Sequence, residues 1–281
     1  MITVKHLDFA YDTTSLFSDL SLNIHEGNIY GLLGLNGAGK TTLLKLLSGQ
    51  LFPLGGNILI KDENPVDRHP AFLQELFYVP EEFLLPRMTA DQYTNLYAPF
   101  YPRFDQSMMD QFLKEFQLDP AVSLHKLSFG QKKKFLLSFA LASNTSTVIL
   151  DEPTNGLDIP SKSQFRKTVA SAMSDERTII ISTHQVRDMD QLIDPIIIIH
   201  NQKVMLNSTM DELERSFSIH VSDTPLTAEM MPIYCEKSAA GYVTLTKRED
   251  CDSHTPLDIE FLFNAVISSP RHFEKFTGVT I

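Results

Sequence analysis

Cysteine is scarce: the chain of 281 residues has only Cys235 and Cys251, and no C-x-x-C spacing joins them, so neither a metal site nor a disulfide framework is indicated. A reducing cytoplasm suits such a chain. Long apolar runs are missing too. The longest aliphatic run late in the core, Ile196 to Ile199, falls far short of the roughly 18 to 20 residues that cross a bilayer. Basic charge is in deficit: 24 Lys and Arg against 35 Asp and Glu leave a formal net charge of -11, which argues against a nucleic-acid surface with its basic footprint. The opening Met1-Ile2-Thr3-Val4-Lys5-His6 lacks the charged-then-apolar layout of a secretory signal and alternates like a strand. Without such a signal, the acceptor pattern Asn207-Ser208-Thr209 reads as chance. Internal repeats and low-complexity tracts are absent.

What is present is ordinary for a globular protein, with 43% hydrophobic and 21% charged residues over a length that holds one large domain or a large one with an appendix. Alternating segments at Ile2 to Phe9 and Leu20 to Ile24, with turn chemistry at Asp12 to Ser15, predict an antiparallel pair. Further strands are expected at 57 to 61 and at 76 to 79, the second stopped by Pro80. Buried parallel strands are expected at Thr147 to Leu150, Thr178 to Ile181 and Ile196 to Ile199, because continuous β-branched runs separated by helical stretches suit a sheet covered on both faces. Between them, Tyr93, Leu96, Tyr97, Phe100, Phe112, Leu113 and Phe116, broken by Pro99, Pro102 and Pro120, predict a small helical insert over 83 to 126. It reaches about 143 when the next helix is counted. Past residue 210 the pattern loosens into strands near 217 to 221 and 242 to 246 and a helix near 257 to 266.

The densest chemical signal is Gly34-Leu35-Asn36-Gly37-Ala38-Gly39-Lys40-Thr41-Thr42, which fits the G-x-x-x-x-G-K-[ST] phosphate loop. Its glycines turn successive N–H groups toward phosphate oxygens, Lys40 reaches the β- and γ-phosphates, and the Thr41 hydroxyl ligates Mg²⁺. A short apolar segment precedes the loop, and Leu43, Leu44, Leu46 and Leu47 follow at helical spacing until Gly49, so strand, loop and helix N-terminus come in the order an anion site needs. The alternative is a glycine-rich turn that happens to hold a lysine.

Two further constellations accompany it. Leu150-Asp151-Glu152-Pro153 closes an apolar strand with adjacent carboxylates, Asp151 placed to hold Mg²⁺ and Glu152 to polarise an attacking water; the alternative is a strand ending in solvated acids. In Leu127-Ser128-Phe129-Gly130-Gln131, Ser128 reads as an N-cap. Lys132, Lys133 and Lys134 then oppose the helix dipole, which suggests an anion there or else a solvated basic face.

The order of these elements, together with Gly156-Leu157-Asp158 and Ser182-Thr183-His184, resembles the ATP-binding subunit of an ABC transporter over roughly residues 1 to 210. The resemblance implies an α/β P-loop NTPase core with a mostly parallel sheet and an N-terminal antiparallel β subdomain. A helical insert over about 83 to 143 and a small α/β extension over 211 to 281 would complete it. It implies ATP and Mg²⁺ as cofactors and a head-to-tail dimer, with itself or a paralogous subunit, in which Ser128, Gly130 and Gln131 cover the nucleotide on the partner's loop. Asp158 would lie at the seam, His184 would contact the γ-phosphate, and Tyr11 would stack on adenine, unless it packs locally. The insert beside Glu81 would receive a cytoplasmic helix of a separate membrane permease, unless its aromatics are ordinary core, and the chain would sit peripherally on the cytoplasmic face. Phe129 stands where the family usually has the first glycine of LSGGQ. Glu81, in Pro80-Glu81-Glu82, stands where the family usually has glutamine; a carboxylate there can still ligate Mg²⁺ but lacks an amide donor. A soluble ABC-type ATPase acting on ribosomes or DNA is the rival reading, disfavoured by the lack of a second cassette or a long coiled coil. A P-loop kinase or GTPase is disfavoured by Leu127 to Gln131 and His184.

Overall fold

The computed structural model describes residues 1–226, 230–239, 241–248 and 256–278; Cys251 lies outside the described residues. Strands β1 (Ile2–Tyr11) and β2 (Thr14–Ile24) form the expected antiparallel hairpin. Strand β3 (Ile29–Leu33), buried at every position, runs into the glycine loop and helix α1 (Lys40–Leu47). Strand β4 (Gly55–Ile60) then returns to the free edge of β1, giving a front sheet of order β2-β1-β4. Alternation explains its one-sided core: Ile2, Val4, Leu20, Leu22, Ile24, Ile58 and Ile60 are buried and pack over Leu43, Leu44, Leu46 and Leu47 of α1.

After the short helix α2 (Pro70–Gln74) comes β5 (Leu76–Val79), with the bounds expected from Pro80. Helices α3 (Ala90–Tyr97), α4 (Gln106–Glu115) and α5 (Phe129–Ala142) form the insert region. Its aromatics divide by exposure. Tyr93 packs edge-on against Phe135 and Phe139 at 5.1 and 5.2 Å, and Phe112, Leu113 and Phe116 are buried, whereas Leu96 and Phe100 remain exposed. The first group is ordinary core.

Strand β6 (Thr147–Asp151), helix α6 (Ile159–Ser171), β7 (Thr178–Thr183) and β8 (Ile196–His200) complete the parallel part of a six-stranded sheet, closed by the antiparallel β9 (Lys203–Ser208). The order is β5-β6-β7-β3-β8-β9, so β3 lies between two strands that come far later in the chain. Continuous Ile and Val runs are what strands covered on both faces require.

The C-terminal part contains α7 (Met210–Ser216), β10 (Phe217–Ser222), β11 (Tyr234–Ser238), β12 (Gly241–Lys247) and α8 (Ile259–Ser268). Its sheet is antiparallel with order β10-β12-β11. Helix α8 buries Ile259, Phe261, Leu262, Ala265 and Val266, and these belong to the same hydrophobic cluster as Val148, Leu150, Ile179 and Ile196 of the central sheet. No described helix is long and apolar enough to cross a membrane.

Candidate functional site

The loop after β3 is tight because its glycines leave room. Gly39 has φ +99°, and a Cβ there would stand 2.6 Å from the Phe17 ring; only glycine allows both that conformation and the contact with the front sheet. Gly39 is also the N-cap of α1 and offers no side chain to the first-turn N–H groups, which leaves them for an anion. Lys40 is buried, and its Nζ donates to the carbonyls of Gly34 at 2.8 Å and Leu35 at 3.4 Å. Burial holds its pKa below the usual lysine value, while Glu152, Asp151 and Glu81 pull the other way. Those carboxylates lie near enough for their charge to act on Lys40. Tyr11 is exposed, with its hydroxyl 3.3 Å from Thr42 Oγ1 and its ring edge-on to Phe9 at 5.0 Å; it stands beside the loop and packs locally as well.

Across from the loop, the end of β6 presents Asp151, 1% exposed. Ser182 Oγ donates to its Oδ1 at 2.5 Å and the Tyr78 hydroxyl to its Oδ2 at 3.2 Å. Burial, followed by the negative field of Asp151, raises the Tyr78 pKa well above normal, so the phenol remains a donor. Glu152 has a left-handed backbone, φ +45°, a strained conformation for a non-glycine residue. Its N–H bonds the carbonyl and hydroxyl oxygens of Ser182 at 3.2 and 3.0 Å. Its Oε1 meets His184 Nδ1 at 2.8 Å, while its Oε2 is buried without a partner among the described residues. Glu81 Oε1 accepts from Asn155 Nδ2 at 2.8 Å. Among the described residues no three His, Cys, Asp or Glu side chains converge as a ready-made metal cage. Mg²⁺ takes only one or two carboxylates beside phosphate oxygens, a sparse demand that Asp151 and Glu81 are of the right chemistry to meet.

Ser128, Gln131 and Asp158 occupy helix ends. Ser128 and Gln131 form a reciprocal capping box on α5, at 3.2 and 3.0 Å, and exposed Asp158 caps α6 by accepting from Ser161 N–H at 2.9 Å. Among the described residues their hydrogen bonds stay within their own helices, so the chain alone does not bring them to the Gly34–Thr42 loop. Gly130 approaches Gly156, where an added Cβ would stand 3.3 Å from the Gly156 carbonyl.

The three-lysine reading needs correction. Lys133 points inward, donating to the carbonyls of Glu152 at 2.9 Å and Asn155 at 3.0 Å, and Lys134 lies 5.8 Å over the Phe116 ring. Lys133 is thus taken up by backbone carbonyls and does not wait free for an anion. Tyr78 and Asn155 were not foreseeable as site residues, reading in the sequence as a strand aromatic and a turn amide, and Lys133 was read toward an anion rather than toward the carbonyls of Glu152 and Asn155. Ser182 sat within a recognised motif but had no assigned partner. A cavity of about 490 Å³ opens beside the loop, bordered by Gly34, Asn36, Lys162, His184 and, from α8, Glu260 and Phe263.

Comparison with known proteins agrees with this geometry. Residues 17–155 match the ABC transporter family. The chain is 28% identical over 219 residues to the ABC transporter ATP-binding protein YtrB of Bacillus subtilis (strain 168), covering 77% of this chain and 75% of that one. It is 30% identical over 219 residues to the bacitracin transport ATP-binding protein BcrA of Bacillus licheniformis, covering 76% and 72%. A solved structure described as the ATP binding subunit of an ABC transporter superimposes with TM-score 0.68 at 26% identity, covering 76% of this chain and 92% of that chain. By these likenesses the chain belongs to the ATP-binding proteins of the ABC transporter family.

Proposed function

We propose that this chain is a Mg²⁺-dependent ATPase that dimerises head to tail on binding Mg-ATP, with itself or a paralogous subunit, and drives a separate membrane permease from the cytoplasmic face. The single observation that carries hydrolysis is the Glu152 carboxylate, held by His184 through one oxygen and bare on the other. A buried carboxylate so arranged accepts a proton from water. Residues 1–210 are the ATPase part, with the helical insert at about 83–143, and 211–281 form the extension. Tyr11 lies against the adenine. Lys40 exchanges the carbonyls of Gly34 and Leu35 for phosphate oxygens, and the N–H groups from Leu35 to Thr42 surround the phosphates. Thr41, Asp151 and Glu81 hold Mg²⁺, which when bound neutralises phosphate charge. His184 fixes the Glu152 rotamer through Nδ1 and turns Nε2 to the γ-phosphate. Ser128, Gly130, Gln131 and Asp158, whose hydrogen bonds stay within their own helix ends, serve the nucleotide of the partner. Transport proteins among the relatives, such as BcrA by its name, support the permease; no nucleic acid enters this reading.

Isothermal titration with Mg-ATP tests the loop. Lys40→Ala is expected to abolish measurable binding, because the phosphates lose their principal cation; an affinity near that of the parent would sink the assignment.

A further inference from the structure

Lys133 is 2% exposed and has no ion-pair partner among the described residues. Burying an ammonium is costly. Here the cost is offset by the carbonyls of Glu152 and Asn155, by the Phe129 ring 5.1 Å away, and by the field of Glu81, Glu152 and Asp151. The residues it joins belong to different machinery. Lys133 lies in the second turn of α5, whose N-cap is Ser128. Glu152 and Asn155 lie in the segment after β6, where Glu152 is strained and Asn155 grips Glu81. The two segments are also packed face to face: Gly130 abuts the Gly156 carbonyl, and a Cβ on Gly156 would stand 3.3 Å from Phe129. Phe129 in turn stacks on Phe83 at 5.7 Å, so the aromatic that replaces a glycine forms a wall beside the ammonium.

We propose that Lys133 is a positioning residue that locks the Ser128 turn to the Glu152 backbone, and thereby couples the two nucleotide sites of the dimer. The inference rests on the head-to-tail dimer proposed above, in which the Ser128 turn serves the partner's nucleotide while Glu152 acts on its own. A shift of the turn on closure is passed to the Glu152 peptide through one ammonium, and the reverse holds equally.

The test uses the full chain with Lys133→Met and Lys133→Gln, each made in the parent and in a Glu152→Gln background. ATPase rate reads the Glu152 side, and the ATP concentration needed for dimerisation in the Glu152→Gln background reads the Ser128 side. Lys133→Met is expected to lower kcat about tenfold and to raise that ATP concentration about tenfold, with Lys133→Gln, which keeps N–H donors, recovering part of both. Either quantity staying within about twofold of its parent overturns the coupling. So does a matching fall in thermal midpoint for both variants with no recovery by glutamine, which marks a purely structural lysine. If Lys133→Met does not fold, the proposal rests on Lys133→Gln, which must move both quantities. Failure of Glu152→Gln alone to dimerise in ATP overturns the dimer itself, and is seen before any Lys133 variant is made.

Discussion

Buried carboxylate oxygens are rarely left bare, because the desolvation of each is unrecovered. Glu152 Oε2 is such an atom among the described residues, and Glu152→Gln tests what it is for: turnover is expected to fall at least about a hundredfold with ATP binding retained, since the amide takes no proton. ATP should then trap a dimer on size exclusion; parental turnover would remove the base role. Glu81 is the bolder case. Asn155 holds one of its oxygens, which leaves the other for a cation, so Glu81→Gln should keep nucleotide binding but need more Mg²⁺ for half-maximal ATPase. Superimposable Mg²⁺ titrations would show that Glu81 contributes only its hydrogen bond. Lys40, Asp151 and Glu152 were legible as candidates because phosphate chemistry restricts which residue types serve, whereas His184 came only through the family resemblance. The sequence hid Tyr78, Asn155 and the partners of Lys133 because these depend on neighbours far along the chain: Tyr78 meets Asp151 across 73 positions.

Among the elements, buried parallel strands were the easiest to read. Leu76–Val79 has the expected bounds, and β6, β7 and β8 differ from expectation by one or two residues at their ends. Strands β9 and β11 went unread; β9 alternates buried and half-buried residues on a sheet edge, and β11 is largely exposed with Cys235, Lys237 and Ser238 outside the core. Helix α7 also went unread, being short and polar; its Thr209–Glu212 capping box was visible in principle. The same device on α5 gives a prediction. Ser128→Ala removes the acceptor for Gln131 N–H and should cost about 1 kcal/mol of stability, measured by urea unfolding. ATP-driven dimerisation should be lost far beyond what that amount explains. A loss of stability with dimerisation intact would confine Ser128 to capping.

For the molecule as a whole, the extension is bound into the central core. Leu262 is fully buried in the cluster that includes Leu150 and Ile179, and Arg187, three residues past His184, pairs with Glu260 of α8. Leu262→Ala is expected to cost about 2 to 5 kcal/mol and to move the unfolding of the entire chain. Denaturation followed by far-UV circular dichroism and by nucleotide binding should give coincident transitions; a separate early transition for the extension would refute the shared core. The place of β3 between β7 and β8 has a further consequence, in the order of biosynthesis. The loop is made early, yet neither neighbour of its strand exists until residues 178–200 have been synthesised. A ribosome-bound chain that stops before Thr178 carries the whole Gly34–Thr42 segment and should not retain ATP, because its strand has nothing to pair with. During translation, nucleotide affinity is therefore gained late and in one step, a delay written into strand order rather than into any residue that touches the ligand.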